Sequence, residues 1–408
     1  MAAEPTYVIV GASLAGAKAA QTLREEGFGG RVILLGEETE RPYERPPLSK
    51  GFLQGKEDKS VIYVHDEDWY AGNDVDLRLG VAAASLDPAA RQVLLSDGSS
   101  LGYDQLLLAT GASPRRLRVP GAGLDGVLYL RTAADSERLR TALSDGGEVV
   151  IAGAGWIGLE VAAAARQAGC EVTVVEPEAA PLQRAIGPEL GRVFADLHAE
   201  HGVRFRFGEG VSEFTGSGGN VSEVVTSGGA RLPARLAVVG IGAVPNIGLA
   251  EDAGLEVGNG VLTDAALRTS VPGIWAAGDV ANVMHPLLGQ RIRVEHWANA
   301  LHGGPAAARS MLGQPVSYDR VPYFYSDQYD LGMETSGVPE PGGYDQVAYR
   351  GDREGREFIG FWLRGGAVVA GMNVNVWDVT GDIQELIRSG RQVDTARLTD
   401  PDIPLSEV

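Results

Sequence analysis

Val149-Val150-Ile151-Ala152-Gly153-Ala154-Gly155-Trp156-Ile157-Gly158 is a short apolar strand running into a glycine turn that opens a helix. Further on, Glu171-Val172-Thr173-Val174-Val175-Glu176 is a second strand, ending on a carboxylate. A strand that feeds a glycine turn presents backbone N–H groups and the positive end of a helix dipole to a pyrophosphate. The acid at the tip of the next strand accepts hydrogen bonds from a ribose. The same arrangement stands near the start of the chain: Tyr7-Val8-Ile9-Val10, then Gly11-Ala12-Ser13-Leu14-Ala15-Gly16, a helical stretch, and Val32-Ile33-Leu34-Leu35-Gly36-Glu37. Ser13 replaces the second glycine, so this turn is expected to sit slightly further from its ligand. One such cradle points to a dehydrogenase. Two in one chain point to electrons passing between two bound dinucleotides.

The repeat extends beyond the glycines. The first unit continues to Tyr103-Asp104-Gln105-Leu106-Leu107-Leu108-Ala109-Thr110-Gly111-Ala112, an apolar strand ending in a small-residue turn. The second continues to Ala234-Arg235-Leu236-Ala237-Val238-Val239-Gly240-Ile241-Gly242-Ala243, of the same character. Each is followed by a proline, Pro114 or Pro245, which disfavours helix and suits a chain crossing between domains. Within the first unit Val93-Leu94-Leu95-Ser96-Asp97-Gly98 reads as part of a hairpin. Gly273-Ile274-Trp275-Ala276-Ala277-Gly278-Asp279 is a further strand, followed by a helix from about Ala298 to Leu312. From Tyr318 the texture becomes aromatic and alternating, as in an antiparallel sheet, with a helix near Asp382 to Ser389.

Composition narrows the function classes. A chain of 408 residues exceeds the roughly 250–300 residues at which a single core stops growing. A net charge of −19 disfavours nucleic acid as a general partner. Met1-Ala2-Ala3-Glu4-Pro5 does not read as a secretory signal. The long apolar stretch from Val149 to Ala165 carries three turn glycines and Glu160, so it reads as a buried strand and helix and no membrane span is expected. The single cysteine, Cys170, excludes a disulfide framework within the chain, and the cytoplasm is the expected compartment.

Four further stretches carry a resemblance: Arg41-Pro42-Tyr43-Glu44-Arg45-Pro46-Pro47-Leu48-Ser49-Lys50, Tyr129-Leu130-Arg131-Thr132, Gly278-Asp279 and Ser326-Asp327-Gln328-Tyr329. With the two glycine motifs, this ordered series resembles the FAD-dependent ferredoxin reductases that serve oxygenases, over nearly the whole chain. The resemblance implies an α/β fold of glutathione-reductase-like architecture: two Rossmann-like dinucleotide-binding domains and an α+β C-terminal interface domain. It places FAD on residues 1–113 and 246–319, NAD(H) on 114–245, and the interface domain at 320–408. The implied enzyme is a flavoprotein oxidoreductase, an NADH:ferredoxin reductase. Its partner would be a ferredoxin, of the 2Fe–2S type, feeding a cytochrome P450 or a ring-hydroxylating dioxygenase.

The resemblance brings site residues with it. For FAD it implies Gly11, Ser13, Ala15 and Gly16 at the pyrophosphate, Glu37 at the adenosine ribose, and Ala83 touching the adenine region by its backbone. Arg45 and Lys50 of the proline-rich motif join them, with Thr110 and Gly111 lining the cofactor, Arg131 offering positive charge and Asp279 accepting from ribityl hydroxyls. Taken alone, Asp279 also reads as a helix cap. Trp297 is placed against the flavin and Tyr325 over part of its ring, though either aromatic also reads as a packing anchor. For NAD(H) the set is Gly153, Gly155, Ile157, Gly158, Gly242, Glu176 on both ribose hydroxyls and Arg184 at the adenosine phosphate. A carboxylate at Glu176 repels the extra phosphate of NADPH, so NADH is expected; Arg184 swung toward that phosphate would weaken the preference. Glu160 reaches the nicotinamide carboxamide, or is simply an acid favoured by the helix dipole. Lys50 is expected near flavin N5, paired with Glu160 across the domain interface, or is a solvated loop lysine. Those two are the candidate catalytic residues.

Disulfide reductases of this architecture carry a cysteine pair close after the first unit, where this chain has Arg45-Pro46-Pro47-Leu48-Ser49-Lys50. Electrons must then leave the flavin directly, and Cys170 reads as a buried structural thiol. The six histidines show no ligand spacing for a metal, and His198 and His201 read as surface residues of an amphipathic helix. Arg291, Arg293 and Arg309 are candidates for a basic docking patch, or solvated surface arginines. Two other functions fit the same architecture: an NADH-responsive flavoprotein of the apoptosis-inducing-factor type that acts by binding, and an NADH oxidase.

Overall fold

The computed structural model describes residues 4–339 and 342–408, so two of the N-terminal positions read above for a signal, together with Met1, lie outside the described residues. The chain divides into two compact units. One contains the segment ending at Glu44, Lys59–Ser113 and Ala243–Pro322; the other contains Arg45–Asp58, Pro114–Gly242 and Tyr323–Val408. Arg45–Asp58, expected with the first unit, is thus part of the second.

The first unit is built on a parallel sheet with strand order Ile274–Ala276, Gln105–Leu108, Thr6–Val10, Arg31–Leu35, Val75–Arg78. Its central strands are near-continuous apolar runs because a parallel sheet is covered on both faces; Val8, Ile9, Ile33, Leu34, Leu106 and Leu107 are fully buried. The return of the chain at Ile274 completes the sheet, and Trp275 and Ala276 join its core. The helices Leu14–Glu25 and Trp297–Met311 also belong to this unit, and an antiparallel hairpin sheet, Ala83–Asp87, Gln92–Leu95 and Ser100–Gly102, is attached to it.

The second unit repeats the plan, with order Arg204–Phe207, Glu171–Glu176, Glu148–Ala152, Leu236–Val239, Val127–Leu128, all parallel. Here the outermost strand, Val127–Leu128, precedes the nucleotide-binding core in sequence, whereas its counterpart in the first unit follows it. The C-terminal segment forms a five-stranded antiparallel sheet in the order Tyr323–Gln328, Leu331–Gly337, Ala367–Val374, Glu357–Arg364, Gln346–Asp352. This sheet shares a core with the second nucleotide-binding domain: Leu331, Met333, Phe358 and Trp362 join one apolar cluster with Ile186, Leu190 and Phe194 of the helix Gln183–Glu200. Among the described residues no helix is long and apolar enough to cross a membrane.

A single arginine closes the loops beneath the first sheet. Arg24 donates to the carbonyls of Asn73 at 2.9 Å, Phe28 at 2.6 Å, Gly30 at 2.8 Å and Asp74 at 2.7 Å. Arg24→Leu keeps the stem but strands four carbonyls, so the first unit should lose about 2–4 kcal/mol. Thermal melting monitored separately for the two units would show the loss confined to the first.

Candidate functional site

Each parallel sheet ends in a turn that only glycine can make. Gly11 has φ +122°, and a Cβ there would lie 2.1 Å from the Ala109 carbonyl oxygen; Gly153 has φ +101°, with the Gly240 oxygen at 2.4 Å. Backbone touching backbone in this way draws the next helix tightly onto the strand end. The helix Leu14–Glu25 then begins at Ser13, extended at φ −121°, ψ −164°, whose side chain caps nothing. The helix Trp156–Gln167 begins at Gly155, equally extended at φ −78°, ψ −179° and without a side-chain cap. Neither first turn carries an acid. The leading N–H groups of both helices therefore keep their positive potential for an anion, and both cradles fit a dinucleotide pyrophosphate. Ser13 holds the same backbone region as Gly155, so substitution of the second glycine has not altered the local conformation.

In the first unit Glu37 is exposed just beyond the strand Arg31–Leu35, and Ala83 opens the hairpin sheet. Thr110 donates through Oγ1 to the Asn246 carbonyl at 2.9 Å, and Asn246 Nδ2 donates to the Thr110 carbonyl at 2.7 Å. Asn246 also donates its backbone N–H to Gly111 at 2.9 Å. This residue, not anticipated from the sequence, fixes the Thr110-Gly111 turn to the returning chain. Asp279 lies in the short 3-10 turn Gly278–Val280, and Trp297 is the first residue of its helix, half-buried.

In the second unit the carboxylate of Glu176 is anchored at both oxygens, accepting from Ala154 N–H at 2.7 Å and from Glu178 N–H at 2.9 Å. It is thereby held at the glycine loop. Ile157 is 43% exposed at the helix start, and the Gly242 turn, at φ +97°, opens onto free space. Arg184 is 83% exposed and pairs with Glu178 through Nη2 at 2.5 Å. Arg45 donates to the Arg131 carbonyl, and Arg131 N–H donates to Asp135 at 3.1 Å.

Glu160 stands on the same helix as Ile157 and is 4% exposed. Its Oε1 accepts from Lys50 Nζ at 2.7 Å and from Ser326 Oγ at 2.6 Å, and its Oε2 accepts from Ser49 Oγ. Lys50 also stands over the Tyr325 ring, with Nζ 5.4 Å from the centroid. The ion pair is therefore formed, inside one unit, and Lys50 is only 16% exposed. A buried carboxylate needs such a set of donors, because an unpaired charge in a low-dielectric interior is costly. Behind Ser326, Gln328 Nε2 donates to Ser326 Oγ at 3.0 Å, and Gln328 Oε1 lies 2.8 Å from His198 Nε2.

His198, expected at the surface, is fully buried. It falls with Leu190, Phe194 and Leu197 on the apolar face of its helix, a spacing that could have placed it correctly. Burial pushes its pKa down to about 4, with a smaller opposing effect of the Gln328 hydrogen bond and a further lowering by His201. The three arginines proposed for a basic patch each have intramolecular partners. Arg293 has a side chain only 9% exposed and pairs with Glu295, and Arg291 bonds the carbonyls of Thr263 and Asn282. Arg309 pairs with Glu26 at 2.8 Å and lies twelve residues beyond Trp297 on the same helix, about 18 Å along its axis. Cys170 is fully buried, donating to the Leu143 carbonyl at 3.4 Å, and burial pushes its thiol pKa up.

Residues 5–304 match the family of pyridine nucleotide-disulphide oxidoreductases and residues 323–408 match a reductase C-terminal family. The ferredoxin–NAD(+) reductase component of the anthranilate 1,2-dioxygenase system of Burkholderia cepacia is 39% identical, over 99% of this chain and 99% of its own. Putidaredoxin reductase of Pseudomonas putida is 37% identical, over 100% of this chain and 97% of its own. The solved covalent putidaredoxin reductase–putidaredoxin complex superposes with a TM-score of 0.95 at 38% identity, covering 99% of this chain and 98% of that one.

The glycines of the second loop separate folding from binding. A Cβ on Gly158 would lie 2.1 Å from the Gly153 carbonyl oxygen, whereas one on Gly155 would meet nothing nearer than 3.9 Å. Gly158→Ala should cost about 1–3 kcal/mol by overpacking, read as a lower melting temperature. Gly155→Ala should melt as the wild type yet bind NADH about 10-fold more weakly in a titration, because a methyl group on the glycine turn would crowd the pyrophosphate expected there.

Proposed function

The chain belongs to the pyridine nucleotide-disulphide oxidoreductase family, and from that premise we propose that it passes electrons from NADH through FAD to a ferredoxin of the 2Fe–2S type. That ferredoxin feeds a cytochrome P450 or a ring-hydroxylating oxygenase, as the names of the similar reductases of dioxygenase and putidaredoxin systems suggest. The observation that carries this reading is the pair of uncapped helix starts, each closed by a glycine turn, in a chain whose single cysteine is buried. With no second thiol, no dithiol relay can form within the chain.

FAD is assigned to the first unit, at the loop of Gly11, Ser13, Ala15 and Gly16, with Glu37 at the ribose and Thr110, Gly111, Asp279 and Trp297 along the rest of the cofactor. Ala83 is assigned to the adenine, and Arg45, Arg131 and Tyr325 remain proposed flavin contacts. NADH is assigned to the second unit, at Gly153, Gly155, Ile157, Gly158 and Gly242. Bound FAD supplies the chemistry that a pyridine nucleotide and an iron–sulfur protein lack in common: it takes two electrons as a hydride and releases them singly. The residues need only orient the reactants, since hydride transfer requires contact geometry and no strong acid or base. Glu160 orients the nicotinamide carboxamide, and Lys50 serves the same step as its charge partner. Glu176 selects NADH, because a fixed carboxylate repels a 2′-phosphate, and Arg184 is engaged by Glu178. The cytoplasm, where NADH is abundant and a lone thiol stays reduced, is the compartment that suits this activity. Binding-only and oxidase functions are not favoured, since the similar proteins are reductases with named redox partners.

Three measurements follow. NADH-driven reduction of cytochrome c should depend on added ferredoxin; equal rates without it would sink the electron-transfer assignment. Glu176→Ala should narrow the preference for NADH over NADPH by about 10-fold, read as a ratio of kcat/KM values. Lys50→Met should slow anaerobic flavin reduction by NADH by about 10-fold or more, and an unchanged stopped-flow rate would remove Lys50 from this step.

A further inference from the structure

We propose that Ser326, Gln328 and His198 form a hydrogen-bond chain of fixed polarity that positions the Glu160 carboxylate, and through it Lys50, for hydride transfer. None of the three is expected to touch a nucleotide, so they are positioning residues. The inference rests on the assignment of Glu160 and Lys50 to that step.

The polarity follows from donor and acceptor capacity. An ionised carboxylate only accepts, so at 2.6 Å the Ser326 hydroxyl must donate its single proton to Glu160. Ser326 Oγ then has only lone pairs left, and at 3.0 Å it must accept from the Gln328 amide N–H. This leaves the Gln328 carbonyl oxygen facing His198 Nε2 at 2.8 Å, so Nε2 must carry the proton. A neutral imidazole with its proton on Nε2 has a bare Nδ1, and Nδ1 of His198 is buried with no hydrogen-bond partner among the described residues. A protonated ring would place an unpaired N–H donor there. The environment agrees: Tyr329 and Phe205 present ring edges to His198, and His201 is the titratable neighbour that adds further repulsion.

Burial makes the chain consequential. Ser326 and His198 are fully buried and Gln328 is 1% exposed, so water does not compete for these groups. If the network only filled core volume, apolar side chains of the same shape would serve as well or better. What apolar residues cannot do is fix the carboxylate's rotation. Lys50 and Ser326 both bind Oε1 while Ser49 binds Oε2, and this three-donor arrangement sets the plane in which the carboxylate lies and where the ammonium is held. Two of the anchors come from the proline-rich segment and one from the C-terminal sheet, all inside one compact unit.

The test begins on protein without NADH. With 15N-labelled histidine, one imidazole, identified by its loss in His198→Gln, should remain in the Nε2–H neutral form from about pH 8 to about pH 5, where an ordinary histidine titrates. Ser326→Ala cuts the link to Glu160, and the same ring should then report a mixture of tautomers. A wild-type ring that is protonated on Nδ1, or that titrates near 6.5, would overturn the polarity. The second arm is anaerobic stopped flow. Ser326→Ala, Gln328→Leu and His198→Leu should each slow flavin reduction about 10-fold while the NADH dissociation constant stays within about 2-fold, and His198→Gln, which retains an N–H donor, should recover much of the rate lost in His198→Leu. Unchanged rates in all three disruptive variants would reduce the chain to packing. A wild-type flavoprotein that NADH fails to bleach would instead overturn the assigned function and leave the imidazole result standing. Should one variant fail to fold, the wild-type tautomer and the remaining two variants still decide.

Discussion

Everything in this protein is arranged around one constraint: the first N–H groups of a helix must be left without partners at the end of a parallel strand. Helix starts are ordinarily satisfied by a Ser, Thr, Asp or Asn side chain. Here Ser13 and Gly155 cap nothing, and neither first turn holds an acid. The glycines at 11 and 153 make this possible by letting the turn press on the carbonyls of Ala109 and Gly240. Those carbonyls follow directly on the strands Gln105–Leu108 and Leu236–Val239, which explains why each of these strands runs into small residues. The sheet, the turn and the anion cradle are a single packing solution, used twice.

The second constraint is electrostatic. Glu160 lies one turn beyond the cradle of the second unit, where its charge is almost completely removed from water. Such a group persists only with donors supplied from elsewhere. They come from Ser49 and Lys50, in a segment that leaves the first unit's sequence to pack with the second, and from Ser326 in the C-terminal sheet. The C-terminal sheet therefore does more than pack against its neighbours. It shares an apolar core with the helix Gln183–Glu200 and delivers the Ser326 hydroxyl to a buried carboxylate.

Acidic charge limits what overall attraction can bring to this protein. At a net −19, recognition of any acidic partner could not rest on overall attraction. Arg291, Arg293 and Arg309 are each engaged in intramolecular contacts, and Arg309 stands at the far end of its helix from Trp297.

The two cradles were legible in the sequence because strand, turn, helix and acid follow one another within a short stretch, and each obeys its own local rule. The lone cysteine likewise needed no structure to exclude a disulfide relay. Burial of the histidine at position 198 was also encoded, in the spacing of Leu190, Phe194 and Leu197, but was outweighed by the polarity of the side chain. What no local pattern contains are pairs such as Thr110 with Asn246, 136 residues apart, or Ser326 with Glu160, 166 residues apart. A serine, a glutamine and a histidine are ordinary surface residues until the backbone carries them into a place without water. Only the tertiary structure decides that, because the free energy of a buried polar group depends on the partners it meets and not on its neighbours in the chain.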